Sequence, residues 1–319
     1  MELDKLKAFR QEAYKHLGKA RDATFELTDA VLLTRTAYCL ADLSLSPVFR
    51  RRWPSIYEAL QDSRPQRNKL MQLYIKQMPT DVRPLLAGDH TVWPRPNAVT
   101  LQERTIEHYC TNVPGNRPIT KGQGYSTLAW IPEATGSWAL PLRHERITSW
   151  ENPIQKAVWQ LTQVCRYLPA RPITLWDSEY GCAPFILKTA EIAADKLIRL
   201  RSNLCLWGAP PAYSGISTKQ QCERWSDLMP LLSWELWLAH EIVADKPLPW
   251  QHSQLQLTPG RVAQAMGGVL AAMGTPAHPP KPRGKSPGWP TGKQRQPRTR
   301  YPVVKKGTKK VKKRRLKSD

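Results

Sequence analysis

The sequence predicts an α/β protein: a mixed sheet with flanking helices, preceded by an N-terminal helical region and followed by a disordered basic tail. Apolar residues recur at helical spacing over the first 80 residues, and short apolar runs bounded by Gly and Pro begin near Pro84. Pro, Gly, Lys and Arg dominate the end of the chain. With 319 residues, 41% of them hydrophobic, the chain is long enough to bury a sizeable core.

The N-terminal helical region is predicted over residues 1–80. Leu6, Phe9, Tyr14 and Leu17 follow the helical repeat, and the same pattern continues from Ser55 to Met78 after a break at residues 50–54.

Residues 81–215 are predicted to form the sheet. Between its third and fourth apolar runs, the segment Pro153–Leu168 has the spacing of an amphipathic helix, with Asn152 as its cap and Pro153 in its first turn. Three strands, a helix and a further strand indicate a mixed sheet. The apolar runs are 85–87, 124–131, 137–142, 173–176 and 197–204.

The C-terminal third is predicted to be helical and then disordered. A second helix is expected over Pro184–Ala194, and residues 216–275 form a helical segment whose spacing, between Lys219 and Val243, is interrupted at Pro230. Residues 276–319 have the composition of a Pro-rich, cationic, disordered tail.

The charge of the chain indicates a polyanionic partner. Residues 281–319 hold 16 Lys and Arg against one acid, so they carry most of the formal charge of +22. Nucleic acid is the commonest partner for such a chain, and an anionic membrane surface is the competing interpretation. The sequence has no apolar stretch of membrane-spanning length and no signal peptide, so we expect a soluble, cytoplasmic protein without a membrane partner. Its six cysteines form no C-x-x-C pair, which argues against a zinc knuckle or a disulfide framework.

Two aspartates are the candidate catalytic residues. Asp89 follows the run Leu85–Ala87, and Asp177 closes the run Ile173–Trp176, so each is expected at the end of a strand. Carboxylates at neighbouring strand ends can hold Mg²⁺ or Mn²⁺ between them, and such ions support phosphodiester cleavage. The competing interpretation is that each Asp caps a turn, which is common after strands.

The residues around both aspartates resemble those of a known family. Asp89-His90-Thr91-Val92-Trp93-Pro94 and Trp176-Asp177-Ser178-Glu179-Tyr180-Gly181 resemble the first two acidic motifs of insertion-sequence DDE transposases, D-x-T-x-x-P and D-x-x-Y-G. The resemblance covers about residues 80–275. Residues 122–126 and 199–203 look like the second and fifth strands of a ribonuclease-H-like fold.

The resemblance implies metal-dependent cleavage and strand transfer in DNA transposition. It implies that Asp89 and Asp177 hold Mg²⁺ or Mn²⁺, that water attacks the phosphodiester at a transposon end, and that the freed 3′-hydroxyl attacks target DNA. It further implies transposon ends and target DNA as partners, a homo-oligomer on paired ends, and a bacterial, nucleoid-associated protein.

The third acidic residue of the family pattern has no clear counterpart. The family places an acid, usually Glu, on a helix after the fifth strand, whereas here few residues separate that strand from the next helix. We expect that an internal deletion near Gly215/Ile216 removed it, with loss of activity as a consequence. Glu179 is expected in a turn, and Glu235 is expected on the solvated edge of an amphipathic helix. The acids considered as replacements in the later helical segment are Glu223, Asp227, Glu235 and Glu241.

Several cationic residues are candidate phosphate contacts, as Arg and Lys commonly are in protein–DNA interfaces. The alternative is ordinary surface charge for the arginines and a solubilising or nuclear-localisation role for the tail. Trp234, Trp237 and Trp250 are either base-stacking residues or, at helical spacing, core residues. The nucleic-acid-binding candidates are Arg143, Arg146, Arg199, Arg201, Lys305, Lys306, Lys309, Lys310, Lys312, Lys313, Arg314 and Arg315.

The sequence is also compatible with two other functions. The chain is a non-enzymatic, DNA-binding transposase remnant if the metal site is incomplete. It is an RNA-associated basic protein if it prefers structured RNA to duplex DNA.

Overall fold

The computed structural model describes residues 2–108, 119–133, 135–199, 219–248, 250–281 and 299–304, with only the backbone described at 219–223. None of the helices in these ranges is both long enough and apolar enough to span a membrane.

A six-stranded mixed sheet forms the centre of the fold. The long strand β3 pairs antiparallel with β1 on one side and with β4 and β2 in succession on the other. Strand β5 lies parallel to β1, and β6 lies parallel to β5. Three antiparallel strands followed by two parallel ones next to the first is the ribonuclease-H-like order, as the sequence implied. The strands are β1 Leu85–Pro94, β2 Thr105–His108, β3 Ile119–Trp130, β4 Leu140–Arg146, β5 Ile173–Trp176 and β6 Asp195–Ile198.

Helices precede, connect and follow the strands. Among the described residues, four lie before the sheet, one lies between β4 and β5, one connects the parallel strands β5 and β6, and two follow β6. A 3-10 helix at Leu40–Leu45 joins the second and third of them. The α-helices are α1 Glu2–His16, α2 Arg21–Leu33, α3 Pro54–Asp62, α4 Arg67–Ile75, α5 Pro153–Cys165, α6 Ala183–Lys188, α7 Lys219–Ala239 and α8 Pro259–Met273.

Helix α5 begins where the sequence predicts and covers one face of the sheet. The Asn152 side chain accepts a hydrogen bond from the Gln155 amide at 2.8 Å, and Pro153 occupies the first turn. Inside the fold, the Gln160 side-chain amide donates to the Ser126 carbonyl at 2.9 Å and accepts from the Ser126 hydroxyl at 2.7 Å. This buried pair holds α5 against the middle of β3.

Helix α7 joins the N-terminal helices to the sheet. Trp234 is fully buried, and its ring stacks on Tyr74 of α4 at 5.8 Å and on Trp130 of β3 at 5.5 Å. The tryptophan is therefore a core residue, as is Trp237, whose ring lies 6.0 Å from that of Trp130. Trp250 is exposed.

Several element boundaries differ from the predicted ones. Strand β1 continues to Pro94 because β3 offers it a partner at every position from Leu86 onward. Strand β2 was not predicted, because its four residues show only a short alternation. Helix α6 ends early, at Lys188, and β6 ends at Ile198. Helix α7 runs through Pro230 although an internal proline costs about 3 kcal/mol, since its buried apolar face compensates for the lost hydrogen bond.

Two short pieces of the predicted disordered tail are docked on the fold. Ala277 is buried, and its carbonyl accepts a hydrogen bond from Arg50 at 3.0 Å. The Val304 amide donates to the Arg104 carbonyl at 2.7 Å, and residue 304 bridges to Thr105 of β2. These two pieces therefore contact the folded part of the chain. Residues 282–298 and 305–319 lie outside the described part of the chain.

Candidate active site

Asp89 and Asp177 occupy equivalent positions on two adjacent parallel strands. The last registered pair of β1 and β5 is Gly88 with Trp176, and each aspartate directly follows its member of that pair, Asp89 inside β1 and Asp177 just past the end of β5. Side chains at equivalent positions of parallel neighbours point to the same face of the sheet, and both aspartates are exposed. Both carboxylates lie at this edge of the sheet, close enough for the charge of Asp177 to raise the pKa of Asp89.

The structure corrects one part of the predicted placement. Asp177 directly follows the end of β5, as expected, but Asp89 lies inside β1, opposite Thr127 of β3. The antiparallel partner continues past the point where the parallel partner ends, so β1 does not stop with β5. Asp89 is thereby held by the sheet itself, whereas Asp177 is held by a turn.

The turn after β5 is fixed by hydrogen bonding and aromatic packing. The Asp177 carboxylate accepts the Glu179 amide at 2.9 Å, which is the bond expected of a turn-forming Asp. Tyr180 is fully buried, with its ring 4.8 Å from that of Trp176 and 5.2 Å from that of Phe185. The Asp177 carboxylate consequently has a defined position, and one of its oxygens already has a partner.

The electrostatics around Asp89 agree with this proximity. Partial removal from water by the surrounding protein raises the pKa of Asp89. The negative charge of Asp177 raises this pKa further, and the charge of Glu179 makes a smaller contribution. A hydrogen bond from the His90 amide opposes the shift. Glu179 itself lies 3.4 Å from His90 Nδ1. Repulsion between the carboxylates favours a cation between them.

Arg199 lies next to the end of β6, level with Asp89 of β1 and with Asp177 after β5. Ile198 of β6 pairs with Trp176, so Arg199 lies level with Asp177 and Asp89, and its amide donates to the Trp176 carbonyl at 2.9 Å. Its side chain is exposed. The sequence singled out Arg199, but only the strand register aligns it with the two acids.

The described residues contain no group of three or more His, Cys, Asp or Glu side chains that could hold a metal ion. Two possible replacements for the third acid are engaged elsewhere: Glu235 pairs with Arg10 at 2.7 Å, and Asp227 pairs with Arg67 at 2.6 Å. Glu241 is exposed just beyond the end of α7. The side chain of Glu223 and the junction at 215/216 lie outside the described part of the chain.

The expectation that Glu235 lies on a solvated helix edge is wrong. Its side chain is fully buried, and burial raises its pKa to about 7 while Arg10 opposes the shift. The same arginine donates two hydrogen bonds to Asp29, at 2.8 and 3.0 Å. An apolar stripe cannot reveal this arrangement, because the cationic partner lies 225 residues away in the sequence.

Two of the arginines proposed as phosphate contacts are buried within β4 rather than following it. Arg146 forms an ion pair with Glu103 at 3.0 Å. Arg143 pairs with Glu145 at 3.1 Å and lies against the ring of Trp159. Their description as ordinary surface charge is therefore wrong. Arg201 and the candidate lysines and arginines of residues 305–315 lie outside the described part of the chain.

Sequence reasoning missed a polar pair on the same face as Asp89. Thr127 lies opposite Asp89, His144 lies opposite Thr127, and the Thr127 hydroxyl is 2.8 Å from His144 Nδ1. Burial lowers the pKa of His144 to about 4, so the ring is neutral near pH 7. No short motif carries this signal, since it depends on the register of three strands.

The family described as DDE superfamily endonuclease matches residues 12–246, which is most of the chain. The chain belongs to this family. The match includes both Asp89 and Asp177 as well as helices α2 to α4 and α7.

Comparison with solved structures finds a piggyBac transposase in a synaptic complex with hairpin DNA, at 11% sequence identity and a TM-score of 0.33. The alignment covers 63% of this chain and 51% of the piggyBac chain, so this chain spans about half the length of that protein. No curated protein matches.

Proposed function

We propose that this chain is a transposase that cleaves DNA phosphodiester bonds and transfers the cut strand, with a divalent cation held by Asp89 and Asp177. The observation that carries the proposal is the position of two exposed carboxylates on adjacent parallel strands, each one residue beyond the last registered pair. Membership of the DDE endonuclease family supports the same chemistry.

The donor set fits Mg²⁺ or Mn²⁺. Carboxylate oxygens are the ligands that these hard cations prefer, and a cation relieves the repulsion from Asp177 that adds to the effect of burial on the pKa of Asp89. When bound, such an ion activates the attacking water and stabilises the leaving oxygen. The described part of the chain supplies two of these carboxylates, and the proposal requires no third acid from α7, where Glu235 and Asp227 already have arginine partners.

The protein's own residues orient the substrate. Strand β1 is paired on both sides up to Gly88 and on one side at Asp89, and Tyr180 anchors the turn that holds Asp177. Neither carboxylate therefore has to change position when the cation and the substrate bind. Arg199, level with both, is placed to hold a phosphate oxygen next to the bond that is cut.

The DNA partners follow from the proposal. We propose transposon ends and target DNA as substrates and an assembly of at least two subunits on paired ends, in the nucleoid of a bacterium. The formal charge of +22 supports a DNA-bound location.

The test is a nicking assay on a plasmid that carries the DNA flanking this gene, with Mg²⁺ or Mn²⁺ and with EDTA. We expect a nicked product only with metal, and we expect Asp89→Asn and Asp177→Asn each to abolish it. Asp81→Asn is the matched control, because Asp81 is exposed and lies before β1. Product formed equally by both active-site variants would contradict the assignment of the two aspartates.

Metal binding gives a second readout that does not depend on activity. In calorimetric titration with Mn²⁺, we expect each active-site variant to bind at least about tenfold more weakly than Asp81→Asn. Equal binding by all three variants would refute the proposed ligand pair.

A non-enzymatic DNA-binding protein is the second candidate function. The hydrogen bond between the Asp177 carboxylate and the Glu179 amide favours it, since it is the bond expected of an aspartate that only shapes a turn. Duplex DNA binding without product at any metal concentration would support this candidate. An internal deletion at 215/216, which we propose as the cause, predicts related copies with a longer continuous frame across that junction.

A further inference from the structure

We propose that a cationic cavity on the face of the sheet opposite Asp89 binds a backbone phosphate of duplex DNA, away from the bond that is cut. The cavity has a volume of about 630 Å³ and lies between the beginning of α4, strand β4, and helices α5 and α7. Its cationic lining residues are Arg64, Arg67, Lys69, Arg143 and Arg224.

The charge of this cavity suits an anion. Five cationic side chains line it, against the two carboxylates of Glu145 and Asp227. Glu145 pairs with Arg143 at 3.1 Å, and Asp227 pairs with Arg67 at 2.6 Å. Three cations in excess therefore surround a space large enough for a phosphate and the sugars on either side of it.

The first turn of α4 forms part of the cavity wall. Gln66 forms no side-chain cap on this nine-residue helix, and its first turn contains no acidic residue. The positive end of the helix dipole is therefore not neutralised by the chain itself, and helix N-termini in this condition bind phosphates.

The burial of the cationic Arg143 side chain in the wall of the cavity points to an anionic ligand. Arg143 is only 3% exposed, its guanidinium donates to Asn68, and it lies 4.9 Å from the centre of the Trp159 ring. Its Nε has no hydrogen-bond partner among the described residues. Because this Nε is enclosed, Arg143 attracts an anion in the cavity through the positive charge of its guanidinium.

The position of the cavity separates it from the candidate active site. Arg143 pairs with Leu128, and Leu128 pairs with Gly88, so Arg143 shares the face of Gly88. Asp89, the next residue, points to the other face. One duplex that reaches both places has to pass around the β4 edge of the sheet.

The exposed rim favours a polymer over a small anion. Arg64, Gln66 and Lys69 are exposed at the opening, and Trp159 is 42% exposed. A nucleic-acid backbone can enter and leave such an open cavity, whereas a small phosphate metabolite is normally enclosed on most sides. The inference rests on the proposed function in taking DNA as the partner, but it does not depend on cleavage.

The first test measures the salt dependence of duplex DNA binding by the full chain, using fluorescence anisotropy between about 50 and 200 mM salt. We expect the double variant Arg64→Ala/Lys69→Ala to make the slope of log K against log salt shallower by about 1 to 2, since each lost phosphate contact removes about 0.9. Arg35→Ala/Lys246→Ala removes the same residue types at exposed positions outside the cavity and should leave the slope unchanged. Equal slopes for both double variants would overturn the proposal.

A second variant separates binding from folding. Gln66→Glu adds a negative charge at the N-terminus of α4, which should stabilise the helix while repelling a phosphate. We expect unchanged or higher Tm together with several-fold weaker DNA binding, and neither effect in the exposed control Gln254→Glu. Unchanged DNA affinity in Gln66→Glu would also overturn the proposal.

Inorganic phosphate distinguishes the two sources of this ligand chemistry. If inorganic phosphate raises the Tm of the wild type but not of Arg64→Ala/Lys69→Ala, while the DNA slopes are equal, the cavity is a small-anion site and the DNA assignment is wrong. Failure here is distinguishable from failure of the proposed function. If nicking depends on Asp89 but the two double variants have equal salt slopes, only the cavity proposal is wrong. If the slope of Arg64→Ala/Lys69→Ala is shallower but no nicking occurs, only the catalytic proposal is wrong.

Discussion

Arg10 of α1 donates to the carboxylate of Glu235 in α7 at 2.7 Å, and both side chains are almost completely buried. The other side of the guanidinium holds Asp29 of α2 with two hydrogen bonds. One cation therefore joins the first helix, the second helix and the long helix that follows the sheet. This triad explains why α7 packs where it does and why Glu235 is not available to a metal ion.

Removing the cation of this triad should destabilise the protein strongly. Arg10→Met leaves Asp29 and Glu235 buried without their cationic partner, and breaking a buried pair in this way costs about 3–5 kcal/mol. Urea denaturation should show that loss, whereas Lys5→Met, at an exposed position of the same helix, should change stability by less than about 0.5 kcal/mol. A loss below about 1 kcal/mol in Arg10→Met would show that the triad is not formed.

Half-buried His144, whose Nε2 atom is enclosed, should make stability depend on pH. Its pKa is lowered from the usual 6.5 to about 4, so between these values the unfolded chain binds more protons than the folded one. Stability contributed by neutral His144 is therefore present above pH 6.5 and is lost as the pH falls towards 4.

The expected loss from pH 7 to pH 4.5 is about 2–3 kcal/mol. His144→Phe keeps an aromatic ring against Tyr125, 5.3 Å away in the native pair, but cannot titrate. The difference in unfolding free energy between pH 7 and 4.5 should shrink by that amount in the variant. Asp227, whose pKa is raised to about 6, makes stability depend on pH with the opposite sign. Its contribution is the same in both proteins and is removed when their pH profiles are subtracted. Identical pH profiles would contradict the burial of a neutral His144.

Gly88 should tolerate no side chain. A Cβ added there would overlap the Trp176 indole, and these two residues immediately precede Asp89 and Asp177. Gly88→Ala should therefore cost about 1–3 kcal/mol through overpacking and also weaken Mn²⁺ binding by displacing the aspartates.

Gly268→Ala is the matched control, because a Cβ at this α8 position meets nothing within 4 Å. It should leave Mn²⁺ binding unchanged and stabilise the helix by about 0.5–1 kcal/mol. Thermal unfolding and calorimetry on both variants separate the two expectations. A Gly88→Ala protein with wild-type Mn²⁺ affinity would mean that the strand register does not control the site.

Arg199 should contribute to DNA binding without contributing to metal binding. Arg199→Ala is expected to weaken duplex binding and to raise KM in the nicking assay, because it removes a cation level with the two aspartates. Arg166→Ala, at the exposed C-terminal end of α5, is the control of equal charge. Lost Mn²⁺ affinity in Arg199→Ala would indicate a structural effect instead of a phosphate contact.

Local patterns in the sequence were sufficient for much of the sheet and for one helix start. Asn152 and Pro153 predict the beginning of α5, because a capping side chain and a first-turn proline act within one turn of backbone. The apolar run Ile173–Trp176 predicts β5 and so places Asp177 at a strand end. The end of β1 could not be predicted in the same way, because it depends on pairing with a distant strand, in which Gly122 is the partner of Pro94.

The sequence by itself predicted the family, the mixed sheet and the two candidate aspartates, since each prediction depends on residues close together in the chain. Only the tertiary structure decided that Asp89 lies within its strand, level with Asp177 and Arg199. It alone decided that Glu235 serves Arg10 and that Arg143 lines a cationic cavity. The physical reason is that backbone preference and side-chain periodicity act over a few residues, whereas strand register and charge pairing are settled between segments that meet only when the chain is folded.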